Sequence, residues 1–194
     1  MSIRILRSLI VAALLSVSLA QAAVKVGNVE FAPQQTVQQR TLELNGAGLR
    51  TRLGFKVYAM GLYLRAPLAE AGAILADKGE KRIRIVPIRD LEAKQFGDAL
   101  QAGLEKNHDA AALAALKPAT DALLAALAAV GEVKAGTEIV LDRLGSGATR
   151  LLVDAKQHGE DIADVALYPA LLRIWLGERP ADSELREALL KTPQ

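Results

Sequence analysis

The sequence of 194 residues contains no cysteine and only two histidines. The absence of cysteine excludes disulfide bonds, thiolate metal sites and a cysteine nucleophile. We expect His108 and His158 to be exposed, and neither has neighbours at the spacing of metal ligands, so no metal or cofactor is predicted. Asp161 and Asp164 could be paired acids, but capping of the helix that follows explains them more simply.

Long apolar runs are also scarce, and the clearest one lies near the N terminus. The first residues carry Arg4 and Arg7, then an apolar run at residues 9–19, then the small-residue sequence Ala-Gln-Ala at residues 20–22. Charged, apolar and cleavable regions in this order are typical of a secretory signal peptide. The apolar run is short for a membrane span, and no later segment is expected to be long enough. We predict export to a bacterial periplasm with cleavage near Ala22, and an uncleaved anchor is the alternative.

Removal of the predicted signal peptide, residues 1–22, changes the charge balance. Arg4 and Arg7 are the only charged residues in that segment, so the formal net charge falls from +2 to zero. A balanced chain lacks the basic footprint of a nucleic-acid-binding protein. A chain without disulfides needs a real hydrophobic core, and residues 23–194 are numerous enough to form one. We therefore predict a single domain over residues 23–194, with no nucleic-acid partner and no membrane span.

Hydrophobic periodicity divides this domain into three blocks. Residues 24–88 are predicted to be mainly extended, with a short helix at residues 68–76. The next block is helical, with Asp90 placed to cap its first helix and Pro118 expected to separate two further helices. The last block predicts a β-hairpin around residues 145–147, followed by two helices. This order indicates an α+β fold in which helices cover one face of an antiparallel sheet.

One apolar strand pattern is interrupted by cations. Alternation along residues 50–64 would place Arg50 on the same face as Arg52, Lys56 and Tyr58. Because this face starts cationic and ends apolar, it could be a solvated rim or a slot for a molecule with an anionic head and an apolar tail. Both interpretations are open at this point.

Arg50 and Tyr58 are the candidate binding residues of this stretch. Arginine offers a rigid fork of donors that suits a carboxylate, and the tyrosine hydroxyl could donate a further hydrogen bond. In a straight strand the two residues would lie roughly 26 Å apart, so they converge only if the chain folds back, most simply at Gly54. The preceding NGAG sequence, with two glycines, is expected to form a tight turn or to allow a close approach.

Three stretches carry a resemblance to a known family. They are LNGAGLRTRLGFKVYAMGLYL, IRIVPIRDLEAKQFGDALQAGLEKN and LLRIWLGERPADSELREALL. Together they resemble the bacterial chalcone isomerase-like family over about residues 26–190. The resemblance implies the chalcone isomerase fold, which is a long antiparallel sheet with helices layered on one face.

The resemblance also implies roles for four residues. In the isomerases of this superfamily an arginine just after the GAG sequence binds and polarises the substrate, and Arg50 matches it. Tyr58 matches the fatty-acid-binding members, in which arginine and tyrosine hold the carboxylate. Phe96 and Gly103 stand where the isomerases have a tyrosine and an asparagine for proton handling. Chalcone isomerase activity is therefore not expected.

The leading hypothesis is a non-catalytic periplasmic binding protein for a small anionic amphiphile such as a fatty acid. In this hypothesis Arg50 and Tyr58 hold the head group, and Met60 with neighbouring aliphatic residues lines a slot for the tail. Two alternatives remain. One is a protein-interaction or helper module whose partner is unknown, and the other is an isomerase-type enzyme that uses Arg50 on an enone-like substrate.

Overall fold

The structure is a computed structural model that describes residues 23–192, so the expected signal peptide lies outside the described residues. The described chain forms eleven strands and five helices. The strands are β1 (Val24–Val26), β2 (Val29–Phe31), β3 (Gln34–Val37), β4 (Arg40–Arg52), β5 (Phe55–Leu64), β6 (Lys81–Pro87), β7 (Leu91–Glu92), β8 (Glu132–Val133), β9 (Ile139–Arg143), β10 (Thr149–Val153) and β11 (Lys156–Gln157). The helices are α1 (Ala71–Ala76), α2 (Ala93–Asn107), α3 (Ala110–Ala128), α4 (Leu167–Leu176) and α5 (Ser183–Leu190).

Seven strands form one sheet in the order β11-β10-β9-β6-β5-β4-β3, and every neighbouring pair is antiparallel. Strands β1 and β2 form a separate hairpin, and β7 pairs with β8. Helix α5 packs on β4, while α2 packs between α3 and α4. The predicted α+β architecture is confirmed, with helices layered against an antiparallel sheet.

Apolar residues are buried on both faces of this sheet. The larger core lies under the helices and includes Met60, Leu62, Ile85, Leu100 and Trp175. A smaller core lies on the opposite face and includes the buried residues Phe31, Leu42, Leu44, Ala59 and Tyr63. From Tyr58 to Leu64 the even positions of β5 enter the larger core, whereas Ala59 and Tyr63 enter the smaller one, as the alternation of side chains along a strand requires.

The alternation of Arg82 and Arg84 with Ile83 and Ile85 along β6 predicts a strand with one solvated face. The structure corrects this, because both guanidinium groups are largely covered. Arg82 makes two hydrogen bonds to the carboxylate of Asp142, each 2.7 Å long, and Arg84 lies 4.9 Å from the ring centroid of Phe31. The strand ends at Pro87.

Pro118 does not separate two helices, and this prediction was wrong. It lies inside α3, which runs without interruption from Ala110 to Ala128. A proline removes the hydrogen bond to the carbonyl four residues earlier, here that of Ala114. Both residues are exposed, so water can satisfy the carbonyl that the proline leaves free.

Helix α3 is also long and apolar enough to cross a membrane, by length and composition alone. The expectation that no segment after the leader reaches this threshold was therefore wrong. In the fold, α3 packs against α2 and β10. Its inward residues are Leu116, Ala119, Thr120, Leu123 and Leu127.

At the helix ends, the cap predicted for α2 is wrong, and the ends of α4 and α5 agree with the sequence. Helix α2 begins at Ala93, because the preceding two residues pair with β8, and Asp90 does not cap it. The Asp90 carboxylate instead accepts a hydrogen bond from the backbone N–H of Ala135 at 2.8 Å. A glycine after an apolar helical pattern predicts the end of a helix, and Gly177 ends α4; an aspartate before such a pattern predicts a cap, and Asp182 caps α5.

Candidate functional site

The hairpin formed by β4 and β5 brings Arg50 and Tyr58 together. The chain reverses at Leu53 and Gly54, whose φ angles are +50° and +78°, the backbone signature of a tight two-residue hairpin turn. The resulting register pairs Arg50 directly with Tyr58. The guanidinium carbon lies 5.6 Å from the centre of the tyrosine ring. The chain thus folds back at Gly54, the position that the sequence indicated.

The NGAG sequence does not form a turn, so that part of the prediction was wrong. It lies inside β4, where its two glycines allow α5 to approach closely. A Cβ atom added at Gly46 would lie 2.3 Å from the carbonyl oxygen of Ala188, and one added at Gly48 would lie 2.6 Å from the Ala188 Cβ. The buried amide of Asn45 donates to the Leu189 carbonyl at 2.7 Å. The motif therefore docks α5 on β4 just before Arg50, which lies two residues after Gly48.

Tyr58 is buried, and its hydroxyl accepts a hydrogen bond of 2.7 Å from Nε1 of Trp175. Burial raises the pKa of Tyr58 to about 12, although the positive charge of Arg50 opposes this shift. At neutral pH the side chain is therefore a neutral phenol. Since its oxygen accepts from the indole, its own proton remains available for donation.

Arg50 is half-buried at the edge of the sheet. Its Nε atom is buried, and within residues 23–192 no acceptor makes a hydrogen bond with it. Buried donors are normally satisfied in native proteins. An arginine N–H that lacks a partner beside a neutral phenol is therefore the unusual polar feature of this region.

A cleft of about 370 Å³ opens beside these two residues. We call it the arginine cleft, and it lies between the β4–β5 hairpin and α2. Its apolar lining consists of Val57, Leu91, Phe96, Ala99 and Ala102. Its polar lining consists of Arg50, Arg52, Tyr58, Arg89, Gln95 and Asp98. Ligand sites commonly combine mostly apolar walls with a few polar groups and have volumes of about 300–1,000 Å³, so this cleft is at the small end of that range.

Cations outnumber acids around the arginine cleft, although the carboxylate of Asp182 lies nearby and accepts from the Thr51 N–H at 2.8 Å. A neighbouring depression of about 220 Å³ shares Arg50 and Arg52 with it and adds Lys106 and Arg179. The acidic residue in the cleft lining, Asp98, is held by Lys94 at 2.8 Å. Uncompensated cations beside low-dielectric walls attract anions.

Family comparison agrees with the fold just described. A family model described as chalcone isomerase-like matches residues 23–191. The chain belongs to the chalcone isomerase-like family. Among solved structures, the chain is similar to the crystal structure of an Arabidopsis thaliana fatty-acid binding protein, with a TM-score of 0.66 and 18% sequence identity. That match covers 87% of this chain and 96% of the other. No curated protein matches the sequence.

Within this chalcone isomerase-like fold, Phe96 and Gly103 have packing roles. The Phe96 ring meets the Tyr58 ring edge-on, with centroids 6.4 Å apart and an interplanar angle of 79°. A Cβ atom added at Gly103 would lie 2.6 Å from the Ile174 side chain, so this glycine allows α2 and α4 to cross closely. Neither residue offers the hydroxyl or amide that the resemblance assigns to isomerases at these positions.

Met60 does not line the arginine cleft, contrary to the expectation that it contributes to a tail slot. It is fully buried in the core under the helices. The bulge between Arg50 and Thr51 shifts the register near the hairpin end, and Val57 faces the cleft instead. Side chains of α2, and not later residues of β5, form the rest of the apolar wall of the cleft.

The remaining sequence candidates have structural roles. His108 and His158 are half-buried and not exposed, and a ring nitrogen of His108 lies 2.9 Å from the Leu104 carbonyl oxygen at the end of α2. Asp161 is bound by Arg150 through two contacts of 2.7 and 2.6 Å, so its capping interpretation was wrong. Asp164 accepts from the Ala166 N–H at 2.8 Å within the turn before α4, and the N-cap of α4 is Ala166, so the helix-capping prediction for Asp164 was also wrong. Across the described residues, no group of three His, Asp or Glu side chains could hold a metal ion.

Two residues of the site are not among the candidates that the sequence indicates. Trp175 was noted only for its family resemblance, although a single tryptophan in an amphipathic helix is a signal of a buried, oriented side chain. Arg89 follows β6 and reaches the cleft lining through a loop. Nothing in its local sequence pattern indicates that placement, because it depends on how β6 and β5 pair.

Proposed function

We propose that the protein is a non-catalytic binding protein that holds a small anionic amphiphile, such as a fatty acid, in the arginine cleft. We further propose that it works in a bacterial periplasm after residues 1–22 are removed. The observation that carries the proposal is the unpartnered, buried Nε of Arg50 beside the Tyr58 phenol at the head of an apolar cleft.

The head group is held by Arg50 and Tyr58 in this proposal. A carboxylate in the cleft would accept from the guanidinium of Arg50, whose fork of donors favours two-point contact. The Tyr58 proton gives a second donor. A charged hydrogen bond of this type contributes about 1.5–3 kcal/mol, while Arg52 and Arg89 add a positive potential to the cleft.

The tail occupies the apolar wall formed with α2. Each methylene group that leaves water there contributes about 0.8 kcal/mol. Since the cleft volume is about 370 Å³, a short or medium acyl chain is the best match. A fatty-acid binding protein from Arabidopsis thaliana has the same fold, which supports a ligand of this class.

A non-catalytic role is supported by the absence of proton-handling groups at two positions. Phe96 and Gly103 carry neither hydroxyl nor amide, and Asp98 is paired with Lys94. General acid–base catalysis needs a group with a suitable pKa within hydrogen-bond reach of the substrate. Tyr58, with a pKa of about 12, suits hydrogen-bond donation better than proton transfer at neutral pH.

The decisive experiment is calorimetric titration with decanoate and with its uncharged counterpart, decanol. We expect the wild type to bind decanoate more tightly, and Arg50→Ala to lose about 1.5–3 kcal/mol for decanoate with little change for decanol. Arg40→Ala, at the exposed far end of the same strand, is the matched control and should bind both ligands as the wild type does.

Equal weakening toward both ligands in Arg50→Ala would overturn the head-group assignment. A wild-type protein that binds neither ligand would overturn the proposed function and favour a helper module. Turnover of an enone by the protein, abolished in Arg50→Ala, would favour the isomerase alternative.

The proposed location has its own test. Expression in a Gram-negative host followed by cell fractionation should yield protein in the periplasmic fraction, with an intact mass that corresponds to cleavage near Ala22. A cytoplasmic protein, or a membrane-bound protein that retains residues 1–22, would contradict this location.

A further inference from the structure

The tip of the β4–β5 hairpin exposes large apolar side chains. Every residue from Thr51 to Lys56 is exposed. Leu53 is 89% exposed and Phe55 is 64% exposed. Among the large hydrophobic residues that the structure describes, the other exposed one is Val165, at 57%, in the loop before α4. The two apolar side chains at the tip are therefore a local concentration and not a general feature of the surface.

Leucine at position 53 is also unfavourable for the turn itself. Its φ of +50° is in the left-handed region, where asparagine, aspartate and glycine are favoured and other residues are uncommon. A turn selected only for folding would carry a polar residue there, both for its backbone and for its contact with water. Leu53 therefore indicates a requirement other than folding.

The charged residues of the hairpin tip itself are all cationic, and the carboxylate of Asp182 lies beside the tip, where it accepts a hydrogen bond of 2.8 Å from the backbone N–H of Thr51. Arg52 and Lys56 flank the turn and are exposed, and no acidic residue occurs from Asn45 to Arg65. Within the part of the chain that the structure describes, neither cation has a carboxylate within 4.0 Å. An apolar tip with flanking cations matches a surface that is anionic outside and apolar beneath.

We propose that the hairpin tip docks on a bilayer that contains anionic phospholipids. Leu53 and Phe55 enter the boundary between head groups and acyl chains, while Arg52 and Lys56 contact the phosphate groups. A protein partner fits less well, because two side chains on a turn offer much less than the roughly 800 Å² per partner of a stable protein interface.

The position of the tip gives this docking a consequence for the arginine cleft. Arg52 belongs to both the hairpin tip and the arginine cleft, since it flanks the turn and lines the cleft. Arg50 lies two residues away on the same strand. A docked tip therefore brings the mouth of the cleft close to the lipid surface. The docking itself depends only on the tip and is independent of any ligand in the cleft.

Vesicle co-sedimentation tests the proposal, with protein whose N terminus has been identified by mass spectrometry so that all variants start at the same residue. Vesicles of phosphatidylcholine with phosphatidylglycerol should bind the wild type, and binding should fall in phosphatidylcholine alone and at high salt. Arg52→Gln with Lys56→Gln should weaken partition to the anionic vesicles by about fivefold per cation removed.

The apolar contribution is tested with Leu53→Asn and Phe55→Thr in one protein. Asparagine suits the left-handed turn position and threonine suits a strand, so the fold should be retained. We expect partition to fall by at least about tenfold. Because neither residue lines the arginine cleft, decanoate binding without vesicles should be unchanged, which separates this test from that of the proposed function.

Matched controls alter the same chemistry elsewhere. Val165→Thr removes the other exposed apolar side chain, and Arg40→Gln with Lys156→Gln removes two exposed cations away from the tip. These variants should bind anionic vesicles within about twofold of the wild type.

The proposal is overturned if the wild type does not bind anionic vesicles, or if control and tip variants lose binding equally. It is also overturned if the tip variants abolish a dimer that forms in the absence of lipid.

Discussion

Arg50 combines a positive charge with a fork of donors, and one substitution separates these two properties. Lysine keeps the charge but has no counterpart of the Nε that is buried without a partner. We expect Arg50→Lys to bind decanoate about 1 kcal/mol more weakly than the wild type, and more tightly than Arg50→Ala. Calorimetric titration measures all three proteins. Wild-type affinity in Arg50→Lys would show that a point charge suffices and would reject a specific role for the guanidinium fork.

Tyr58 has a structural role as the acceptor for Trp175, which Tyr58→Phe would remove. The indole N–H would then be buried without a partner, at a cost of about 1–3 kcal/mol in the free energy of unfolding. Urea denaturation followed by circular dichroism measures this change. Tyr63→Phe is the control, because the Tyr63 hydroxyl donates to the partly buried carbonyl of Ala32 at 3.1 Å, and we expect a smaller loss there. Similar losses would argue against a special role for the indole–phenol contact.

At the scale of elements, docking of α5 on β4 depends on glycines that leave no room for a side chain. A Cβ atom at Gly48 would lie 2.6 Å from the Cβ of Ala188. We therefore expect Gly48→Ala to destabilise the protein by about 1–3 kcal/mol, measured by urea denaturation. Adding Ala188→Gly should restore part of the loss, because it removes the colliding atom.

A second glycine gives the matched comparison. Gly72 lies inside α1, and a Cβ atom there would meet nothing within 4 Å. Gly72→Ala should therefore stabilise the protein by about 0.5–1 kcal/mol, since alanine favours the helix. If both glycine variants changed stability in the same direction, the close approach of α5 would not explain the loss in Gly48→Ala.

The predicted elements agree with the structure where periodicity is strong and local. Strands β4, β5, β6 and the β9–β10 hairpin were indicated by alternation and by turn residues. The failures involve contacts that a local pattern does not contain. The Asp90 carboxylate accepts from the Ala135 N–H and therefore does not cap α2. Pro118 remains inside α3 because that face of the helix is exposed.

The site shows the same limit. The sequence supplied Arg50, Tyr58 and the position of the turn between them, and the register then brought the pair into contact. The cleft lining from α2 and the hydrogen bond from Trp175 could not be predicted, because they join residues as far as 117 positions apart. Resemblance to the family indicated the fold, and the pairing of distant elements determined the walls of the cleft.

At the scale of the whole molecule, all three tyrosines are protected from ionisation. Burial raises the pKa values of Tyr58 and Tyr63 to about 12, and burial together with Asp142 raises that of Tyr168 well above its ordinary value. The folded chain therefore holds these protons more tightly than the unfolded chain, in which tyrosine titrates near 10. Stability from this source is complete below pH 10 and is lost as the pH rises from 10 toward 12.

This linkage predicts a coupled alkaline transition. Tyrosinate absorbance should stay low while the protein is folded and should rise for all three residues together with the loss of circular dichroism. Parallel titrations of the two signals test this. Absorbance equivalent to one ionised tyrosine near pH 10, with unchanged circular dichroism, would contradict the burial of that residue.

The contact between Trp175 and Tyr58 also makes Trp175 an intrinsic fluorescence probe of the arginine cleft. Trp175 is the single tryptophan of the chain and is buried, so the intrinsic fluorescence arises from one defined environment. Its indole N–H is bonded to the hydroxyl that we propose meets the ligand head group. A ligand that engages Tyr58 would change the polarisation of that bond and hence the emission of the indole, so occupancy of the arginine cleft can be followed without any added label.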